Sequence, residues 1–183
     1  MASVPSPCSY LSFSSFDIFN PKDPSLANRI TPDDLNCAVS APNALIGSRS
    51  NGEGSSPASF GIANSTAMEE DGLLPYFTLL SFHVKPMQSP APGTTISVAG
   101  YRHGNEEPLL WNVDFESAYH LPFLVKMKEY SGKPWEQLYR VDIYAEYGED
   151  SLDWEFCMDD LEVFFVSKLE NHRLGPAAIV VQT

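Results

Sequence analysis

The histidines are the side chains of this sequence from which metal or acid–base chemistry would first be expected. There are four, His83, His103, His120 and His172, and none lies at metal-ligand spacing from another histidine or from a cysteine. Protein zinc sites use closely spaced nitrogen and sulfur ligands of this kind. We therefore expect no metal centre at these residues.

The acidic pair Asp159-Asp160 is the other motif that could carry chemistry. Adjacent residues of a strand point to opposite faces, which leaves two interpretations. One carboxylate could bind calcium together with loop carbonyls near Asn20 and Asp23. Alternatively, the pair marks a bend whose carboxylates accept backbone N–H bonds, and we favour this interpretation. Adjacent residues do not provide the separation of about 5–10 Å between the two carboxyl groups of a glycosidase.

Motifs for nucleophilic and phosphate chemistry are missing from the sequence. There is no Gly-x-Ser-x-Gly segment, and Gly52 and Gly54 lie in a Ser/Gly/Asn-rich stretch that no helix follows. A phosphate-binding loop needs its glycines directly before a helix N-terminus. We therefore expect no cofactor, with a structural calcium ion at the acidic pair as the alternative.

Two of the three cysteines are placed to form a disulfide. Cys37 precedes an early β segment and Cys157 lies in the last one. Sandwich folds commonly place their first and last strands side by side, and disulfides are typical of secreted domains. We predict a Cys37–Cys157 bond, with two free buried thiols as the alternative. Cys8 would then be left over.

Polar and aromatic side chains of the middle strands remain as candidates to surround a ligand, because such residues stack on rings and orient polar groups. We predict that the catalytic hydrogen-bond donors are Tyr101, His103 and Lys85. The predicted substrate-binding residues are His83, Trp111, Tyr119, His120 and Trp135. Aromatic residues of a sandwich are also ordinary core residues, and the strand pattern favours that role for Trp111 and Trp154.

Strands must position these side chains, because apolar and polar residues alternate along several short segments. The alternation is clearest over residues 76–85, 94–102, 109–115, 123–129 and 139–147. Period-two alternation between turn signals predicts half-buried strands. The predicted inward residues are Ile96, Val98, Val141, Ile143 and Ala145. Thr78, Leu80, Phe82 and Val84 are predicted to share one face of their strand, and Trp111, Val113 and Phe115 one face of theirs. The predicted outward residues of the last segment are Arg140, Asp142, Tyr144 and Glu146.

The remaining segments fit the same fold class. Residues 38–46 contain Pro42 and are expected to be an extended loop or edge element. Residues 134–138 are the one candidate helical turn, since proline is favourable at a first helical position. Seven or eight short strands without intervening helices predict an all-β fold, an antiparallel two-sheet sandwich of jelly-roll type.

The chain has the length of one domain. Its 183 residues suffice to bury about 70% of the surface of the unfolded chain. We expect a single sandwich domain over residues 1–183, with a core over residues 10–166. The Ser/Gly-rich residues 47–58 are predicted to form a mobile loop, and residues 167–183 a C-terminal tail.

The formal charge of −13 excludes classes of partner. Nucleic acid and anionic membrane surfaces would both repel such a chain. No window approaches the ~20 apolar residues that span a bilayer. We therefore expect neither nucleic-acid binding nor membrane insertion, and an apolar or aromatic small molecule is the expected partner.

Two features favour the secretory pathway. One is the predicted disulfide, and the other is the glycosylation sequon Asn64-Ser65-Thr66, in which Asn64 would carry the glycan. Residues 1–20 lack the basic start and unbroken apolar run of a signal peptide. We expect a secreted protein whose leader is absent from this chain, with a cytoplasmic protein as the alternative.

Four segments resemble a known family. They are LNCAVSAPNAL at residues 35–45, FTLLSF at 77–82, ISVAGY at 96–101 and the strand over 154–166. Over residues 10 to 166 the chain resembles small fungal β-sandwich proteins, usually made with a secretory leader. Some proteins similar to these are associated with hetero-Diels–Alder cyclisation in tropolone–sesquiterpene biosynthesis. The shared motifs are structural and assign no catalytic residue.

The resemblance implies a cofactor-independent pericyclase. Such an enzyme needs a water-poor pocket that holds diene and dienophile together, and a hydrogen-bond donor. Enforced proximity alone supplies on the order of 7–11 kcal/mol in favourable cases. The alternative is a secreted, lectin-like carbohydrate-binding module without catalytic activity. A structural cell-wall or effector-like protein is a third possibility. A closed apolar pocket would favour the enzyme, and a shallow groove with exposed aromatic residues would favour sugar binding.

Overall fold

The chain forms twelve strands in the residues that the structure, a computed structural model, describes. Those residues are 10–26, 30–49, 56–88, 93–148, 152–168 and, for the backbone alone, 178–181. The strands are β1 Leu11–Ser14, β2 Phe16–Phe19, β3 Ala44–Gly47, β4 Ala58–Ile62, β5 Leu73–Pro86, β6 Thr94–Arg102, β7 Leu109–Phe115, β8 Phe123–Lys126, β9 Trp135–Tyr147, β10 Leu152–Trp154, β11 Phe156–Ser167 and β12 Ala178–Val181. The helical segments are α1 Ser65–Glu70, α2 Met127–Ser131 and 3-10 turns at Pro24–Leu26 and Pro32–Asn36.

The strands build one continuous antiparallel sheet that folds over into two halves. The first half-sheet has the order β1-β4-β9-β6-β7, and β10 also pairs with β9. The second half-sheet has the order β8-β5-β11-β3-β2, and β12 also pairs with β11. The long strand β9 joins them, because its first residues pair with β5 and the rest with β4 and β6. The predicted all-β, sandwich-like fold is confirmed.

A corner at Ser15 nearly closes this sheet. Ser15 alone separates β1 from β2, and its φ is 58°. The two strands nevertheless pair at opposite ends of the sheet, β1 with β4 and β2 with β3. The chain therefore passes from one half-sheet to the other within a single residue.

The two half-sheets enclose one large apolar core. The rings of Phe60 in β4 and Phe77 in β5 lie 5.9 Å apart between centroids, so the halves meet face to face. The alternation correctly predicted the inward residues of β6 and β9. These are Ile96, Val98, Val141, Ile143 and Ala145, and all are buried.

The prediction that alternate residues of β5 share one face holds for only half of the strand. Phe82 and Val84 are buried, but the next buried side chains are Leu79 and Phe77. The phase changes because Ser81 pairs with Glu162 and Leu79 pairs with Val163, which leaves Leu80 as an extra residue. Such a β-bulge breaks the period of two. Thr78 and Leu80, predicted to share the face of Phe82 and Val84, are only partly buried.

Two predicted elements were wrong. Residues 134–138 form no helical turn, because β9 begins at Trp135 and pairs there with Leu79 of β5. Burial of Trp135 and Leu138 in the core outweighs the local helix signal. Residues 38–46 end in β3, which lies between β2 and β11 rather than at an edge. Pro42 precedes that strand, so it removes no hydrogen bond from the ladder.

The predicted loop and tail are partly outside the described residues. Residues 50–55 of the loop predicted at 47–58, residues 169–177 of the predicted tail, Cys8 and His172 all lie there. Residues 178–181 form β12, which pairs with β11 over residues 161–164. In the described part of the chain, no helix is long and apolar enough to cross a membrane.

Candidate functional site

One end of the outer face of the second half-sheet, around Lys85, Cys157 and Asp159, is covered by residues 30–43, which we call the cover segment. The predicted Cys37–Cys157 disulfide is formed and ties this segment to β11, with the two Cα atoms 5.8 Å apart. A structural disulfide of this kind is typical of an oxidising environment such as the secretory pathway.

A buried ion pair adjoins the disulfide. Lys85 pairs across the sheet with Cys157, and its Nζ donates to Asp34 Oδ1 at 3.1 Å and to the Asp33 carbonyl at 2.7 Å. The side chains of Lys85 and Asp34 are both 0% exposed. Lys85, predicted to be a catalytic donor, therefore has no surface for a ligand to contact, and its charge fastens the cover segment.

The Asp34 carboxyl is held ionised in this interior. Burial raises the pKa of Asp34. Hydrogen bonds from Thr31 and from the Gln88 backbone N–H, together with the charge of Lys85, lower it by more than burial raises it. The net result is a pKa below the ordinary 3.8. The carboxylate of this pair is therefore ionised over the whole neutral range.

The acidic pair of β11 is the predicted bend. The Asp159 carboxylate accepts bonds from the Ser40 backbone N–H at 2.7 Å, the Ser40 hydroxyl at 3.0 Å and the Asp160 N–H at 2.7 Å. Asp160 has φ of 49° and the register shifts between Asp159 and Glu162. The interpretation of the pair as a kink with N–H acceptors is confirmed, and Asp159 is a third fastening of the cover segment.

His83 belongs to this covered side of the molecule. Its Nδ1 lies 3.4 Å from Asp160 Oδ2, and both side chains are about three-quarters buried. The angle does not make this contact a hydrogen bond, and the Nδ1 is buried without one. His83 thus faces the β11 bend, and not the other predicted substrate-binding residues.

The outer face of the first half-sheet is open by contrast. Its rows run across the strands in register. One row contains Ser12, Gly61, Arg140 and Tyr101, and the next contains Ser14, Ser59, Asp142 and Ala99. Small residues on β1 and β4 therefore lie beside charged and aromatic residues on β9 and β6. We call this surface the open face.

A bulge in β9 creates the most exposed part of the open face. Arg140 pairs with Tyr101, but Leu138 pairs with Arg102, so Tyr139 is an extra residue. Leu138 is buried while Tyr139 and the next residue, Arg140, are both exposed. Because a bulge redirects side chains, two consecutive residues point outward here instead of one.

Gly61 of β4 permits this geometry. A Cβ atom at Gly61 would lie 2.6 Å from the Tyr139 carbonyl oxygen, closer than any side chain allows. The close approach of β4 to the bulge therefore requires glycine. It also leaves the surface next to Arg140 flat.

Four side chains form a contiguous cluster at the bulge. The His103 ring stacks on Tyr139 with centroids 4.6 Å apart, and the Tyr101 ring lies 6.4 Å from Tyr139. The Arg140 guanidinium lies 5.6 Å from the Tyr101 ring. Tyr101 and His103, both predicted as donors, are thus brought together by the fold. Tyr139, which was not predicted, lies between them.

Asp142 fixes the charged part of this cluster. Its Oδ1 and Oδ2 accept bonds from Arg140 Nε at 2.6 Å and from Nη2 at 3.1 Å. Burial raises the pKa of Tyr101. The charge of Asp142, and the hydrogen bond that its carboxylate accepts from the Tyr101 hydroxyl, raise this pKa further. The Tyr101 hydroxyl therefore stays protonated. The Arg140 guanidinium uses only Nε and Nη2 on Asp142, so its other N–H groups can donate to a ligand.

A groove of about 390 Å³ runs along the cluster. Most of its lining consists of serines and small residues in or next to β1 and β4, and the two bulge residues complete it. The lining residues are Ser12, Ser14, Ser56, Ser59, Phe60, Gly61, Ile62, Tyr139 and Arg140. The groove combines hydroxyl donors and acceptors, guanidinium N–H donors and one exposed aromatic ring.

The other predicted binding residues lie elsewhere. Trp135 is 0% exposed and its Nε1 donates to Ser131 Oγ at 2.9 Å, so it is a core residue. His120 is exposed, and its backbone carbonyl accepts a 2.7 Å bond from Asn36 Nδ2. Trp111 and Tyr119 are half-buried between β7 and the β8–α2 region, away from the cluster at Tyr139.

The predicted glycosylation residue caps a helix. Asn64 is exposed at the N-cap of α1, and its Oδ1 accepts a 3.0 Å bond from the Ala67 N–H. Glycosylation at Asn64 stays a prediction. Among the described residues, no group of three or more His, Cys, Asp or Glu side chains could hold a metal ion.

Sequence reasoning did not identify Tyr139, Arg140 and Asp142 as site residues, although it predicted the last two to face outward. The signal was present in part. An arginine and a carboxylate two residues apart on one strand face form a neighbouring pair. The missing information was the bulge, because a strict alternation would have turned Tyr139 inward.

The comparisons with known proteins support the fold. No family model matches the chain, and no curated protein matches it. A solved structure is similar, that of a DUF4465 family protein from Bacteroides caccae, with a TM-score of 0.58 and 14% sequence identity. The match covers 88% of this chain and 83% of that chain. At this identity the likeness shows a shared β-rich fold and nothing about function.

Proposed function

We propose that this protein is a secreted, lectin-like module that binds a neutral saccharide on its open face, without catalysis. The observation that carries the proposal is the β9 bulge, which presents Tyr139 and Arg140 side by side next to a serine-lined groove. Recognition of a sugar needs a flat apolar surface for the ring and hydrogen-bonding groups for its hydroxyls. The open face offers both within one cluster.

The exposed ring of Tyr139 is the stacking surface. Tyr139 is 36% exposed, and the stacked His103 ring limits the motion of the tyrosine ring from one side. A tyrosine combines an apolar ring with a polar hydroxyl, which suits ligands that are apolar on one face and wet on the other. A sugar ring has this character, because its C–H bonds and hydroxyls lie on different faces.

The Arg140–Asp142 pair supplies directional hydrogen bonds. Arg140 uses Nε and Nη2 on the carboxylate, so its other N–H groups can donate to sugar oxygens. Because the guanidinium is already neutralised by Asp142, an anionic group gains little from it. The chain charge of −13 further disfavours acidic polysaccharides. Neutral glycans are therefore the expected class.

The experiment starts with an array of immobilised neutral and anionic glycans, followed by calorimetry with the best neutral oligosaccharide. We expect Tyr139→Ala and Arg140→Met each to weaken binding about tenfold or more, the size of a binding hot spot. Tyr130→Ala is the matched control, because Tyr130 is also an exposed tyrosine but lies outside the open face. Absence of binding to every neutral glycan, or a Tyr139→Ala protein with wild-type affinity, would overturn the proposal.

The hypothesis of a fungal hetero-Diels–Alderase stays a prediction that rests on the resemblance. It needs Tyr101, His103 or Lys85 to donate into a water-poor cavity. Lys85 is buried under the cover segment and the other two lie on a polar, exposed surface, so the geometry supports this hypothesis less well. Incubation with an o-quinone methide and a humulene-like alkene tests it. Product ratios equal to those of the uncatalysed reaction would exclude it.

A further inference from the structure

The seam between the two half-sheets is a separate feature of the molecule. Among the described residues, β7 pairs with β6 alone and β8 pairs with β5 alone. These two edges do not pair with each other, and aromatic rings bridge the gap between them. Phe115 of β7 contacts Phe123 of β8 with centroids 6.0 Å apart, and Trp111 lies 6.4 Å from Tyr130 of α2.

The bridging rings form a continuous row. Tyr119 packs edge-on against Phe115 at 4.9 Å, and Phe123 contacts Tyr130 at 5.4 Å. With Trp111 at the far end, the seam row consists of five aromatic side chains from β7, β8, α2 and the β7–β8 connection. Edge-on and tilted ring pairs at these distances are attractive, so the row closes the core and also forms an aromatic wall.

A cavity of about 380 Å³ opens at the Tyr119 end of the seam row. Its lining consists of Val113, Asp114, Phe115, Glu116, Tyr119 and Phe123. This volume lies in the range of small-molecule sites, about 300–1,000 Å³. Three of its six lining residues are aromatic. Burial raises the pKa of Tyr119, so its hydroxyl is a neutral hydrogen-bonding group at the wall of the cavity.

The charged groups at this cavity are both acidic. Asp114 accepts a 2.7 Å bond from the Thr95 hydroxyl and Glu116 is exposed. Neither carboxylate has an ion-pair partner among the described residues. Aromatic faces also attract cations through the ring quadrupole. The cavity thus combines flat apolar walls with negative charge at its rim.

We propose that the seam cavity binds a small aromatic cation, with the ring of the ligand against Phe115, Tyr119 and Phe123. The ammonium group of the ligand would face Asp114 and Glu116. This site is independent of the saccharide site, because the open face and the seam share no lining residue. Failure of one proposal therefore leaves the other standing.

The test uses two probes of nearly equal shape and opposite charge, 2-naphthylmethylammonium and 2-naphthylacetate. Titrations followed by calorimetry and by amide chemical shifts are expected to show binding of the ammonium compound at residues 111–123. We expect its affinity to exceed that of the carboxylate by about tenfold or more, since two rim carboxylates attract one probe and repel the other.

Variants separate the seam from other surfaces. Asp114→Asn with Glu116→Gln changes exposed groups and leaves the packing intact, and it is expected to reduce the preference for the cation to about threefold or less. Tyr119→Ala should weaken both probes, and Tyr139→Ala should change neither. Equal affinities of the two probes for the wild-type protein would overturn the proposal. So would shifts outside the seam, or a preference that the rim variant keeps.

Discussion

The two outer faces of the sandwich differ in what covers them. The polar part of the second half-sheet, around Lys85 and Asp159, is hidden beneath residues 30–43, which are held by the Cys37–Cys157 bond, the Lys85–Asp34 pair and the Ser40–Asp159 bonds. The first half-sheet exposes the bulge at Tyr139. Each face contains a bulge with charged residues. The carboxylate of Asp159 at the β11 bulge accepts hydrogen bonds from the cover segment, whereas Arg140 at the β9 bulge keeps N–H groups that can donate to a ligand. Polar residues on a strand indicate a binding function only where no other segment of the chain occupies their hydrogen-bonding groups.

Removing the disulfide should have the largest effect on this contrast. The bond closes a loop of 120 residues, for which the chain-entropy model gives about 4–5 kcal/mol. We expect Cys37→Ser with Cys157→Ser to lower the free energy of unfolding in urea by an amount of that order. Cys8→Ser should be present in both proteins, so that no new disulfide forms. A loss below about 1 kcal/mol would show that the cover segment is held by its other contacts.

The second largest loss of stability is expected from breaking the buried ion pair between Lys85 and Asp34. Asp34→Leu leaves Lys85 charged and unpaired in the interior, which typically costs about 3–5 kcal/mol. The double variant Asp34→Leu with Lys85→Met should recover the part of this loss that comes from the unpaired charge, but not the part that comes from the Thr31 and Gln88 N–H groups that Asp34 also accepts. Lys126→Met, which breaks the exposed pair with Glu129, is the control and should stay near wild type. If the double variant is no more stable than Asp34→Leu, unpaired charge is not the cause.

Acid should weaken the covered face selectively. Because the pKa of Asp34 is below 3.8 in the folded protein, the unfolded state binds a proton more readily, and the stabilisation is complete only above the unfolded pKa. It is lost as the pH falls from about 4 through the folded pKa. Urea unfolding between pH 5 and pH 2 measures this loss. The Asp34→Leu, Lys85→Met protein should lose less over the same range, and an identical pH profile would contradict the assignment.

The open face should tolerate substitution best. Tyr139→Ala removes an exposed ring that no cover segment contacts and leaves the Arg140–Asp142 pair in place, and such surface changes typically stay within about 0.5 kcal/mol. We expect a nearly unchanged urea midpoint together with loss of saccharide binding. A loss of several kcal/mol would mean that the bulge cluster is needed for folding, and the contrast between the two faces would then disappear.

Much of the fold followed from local patterns. The inward residues of β6 and β9, the Cys37–Cys157 bond and the bend at Asp159 were all predicted correctly. They depend on alternation, on the pairing of early and late strands, and on the chemistry of neighbouring carboxylates. The alternation and the carboxylate chemistry are legible within a short stretch of sequence, whereas the disulfide followed from the expected fold class, which places early and late strands side by side.

The errors have a common physical origin in register. An extra residue at Leu80 changes the inward face of β5, and one at Tyr139 exposes the ring that we place in the site. A bulge depends on the partner strand, so a single segment does not reveal it. Lys85 was misplaced for a related reason. Its interior partner, Asp34, is 51 residues away, and no local pattern links the two.

The disulfide also determines how the molecule responds to tension. A pull on the two ends of the chain cannot extend the segment between Cys37 and Cys157, which are separated by 120 positions in the sequence, even after every strand has separated. At about 3.4 Å per residue, roughly 400 Å of contour length stays locked until the bond is reduced. Under oxidising conditions only the segments outside this loop can extend, and a reductant would add the locked length to the reach of the chain.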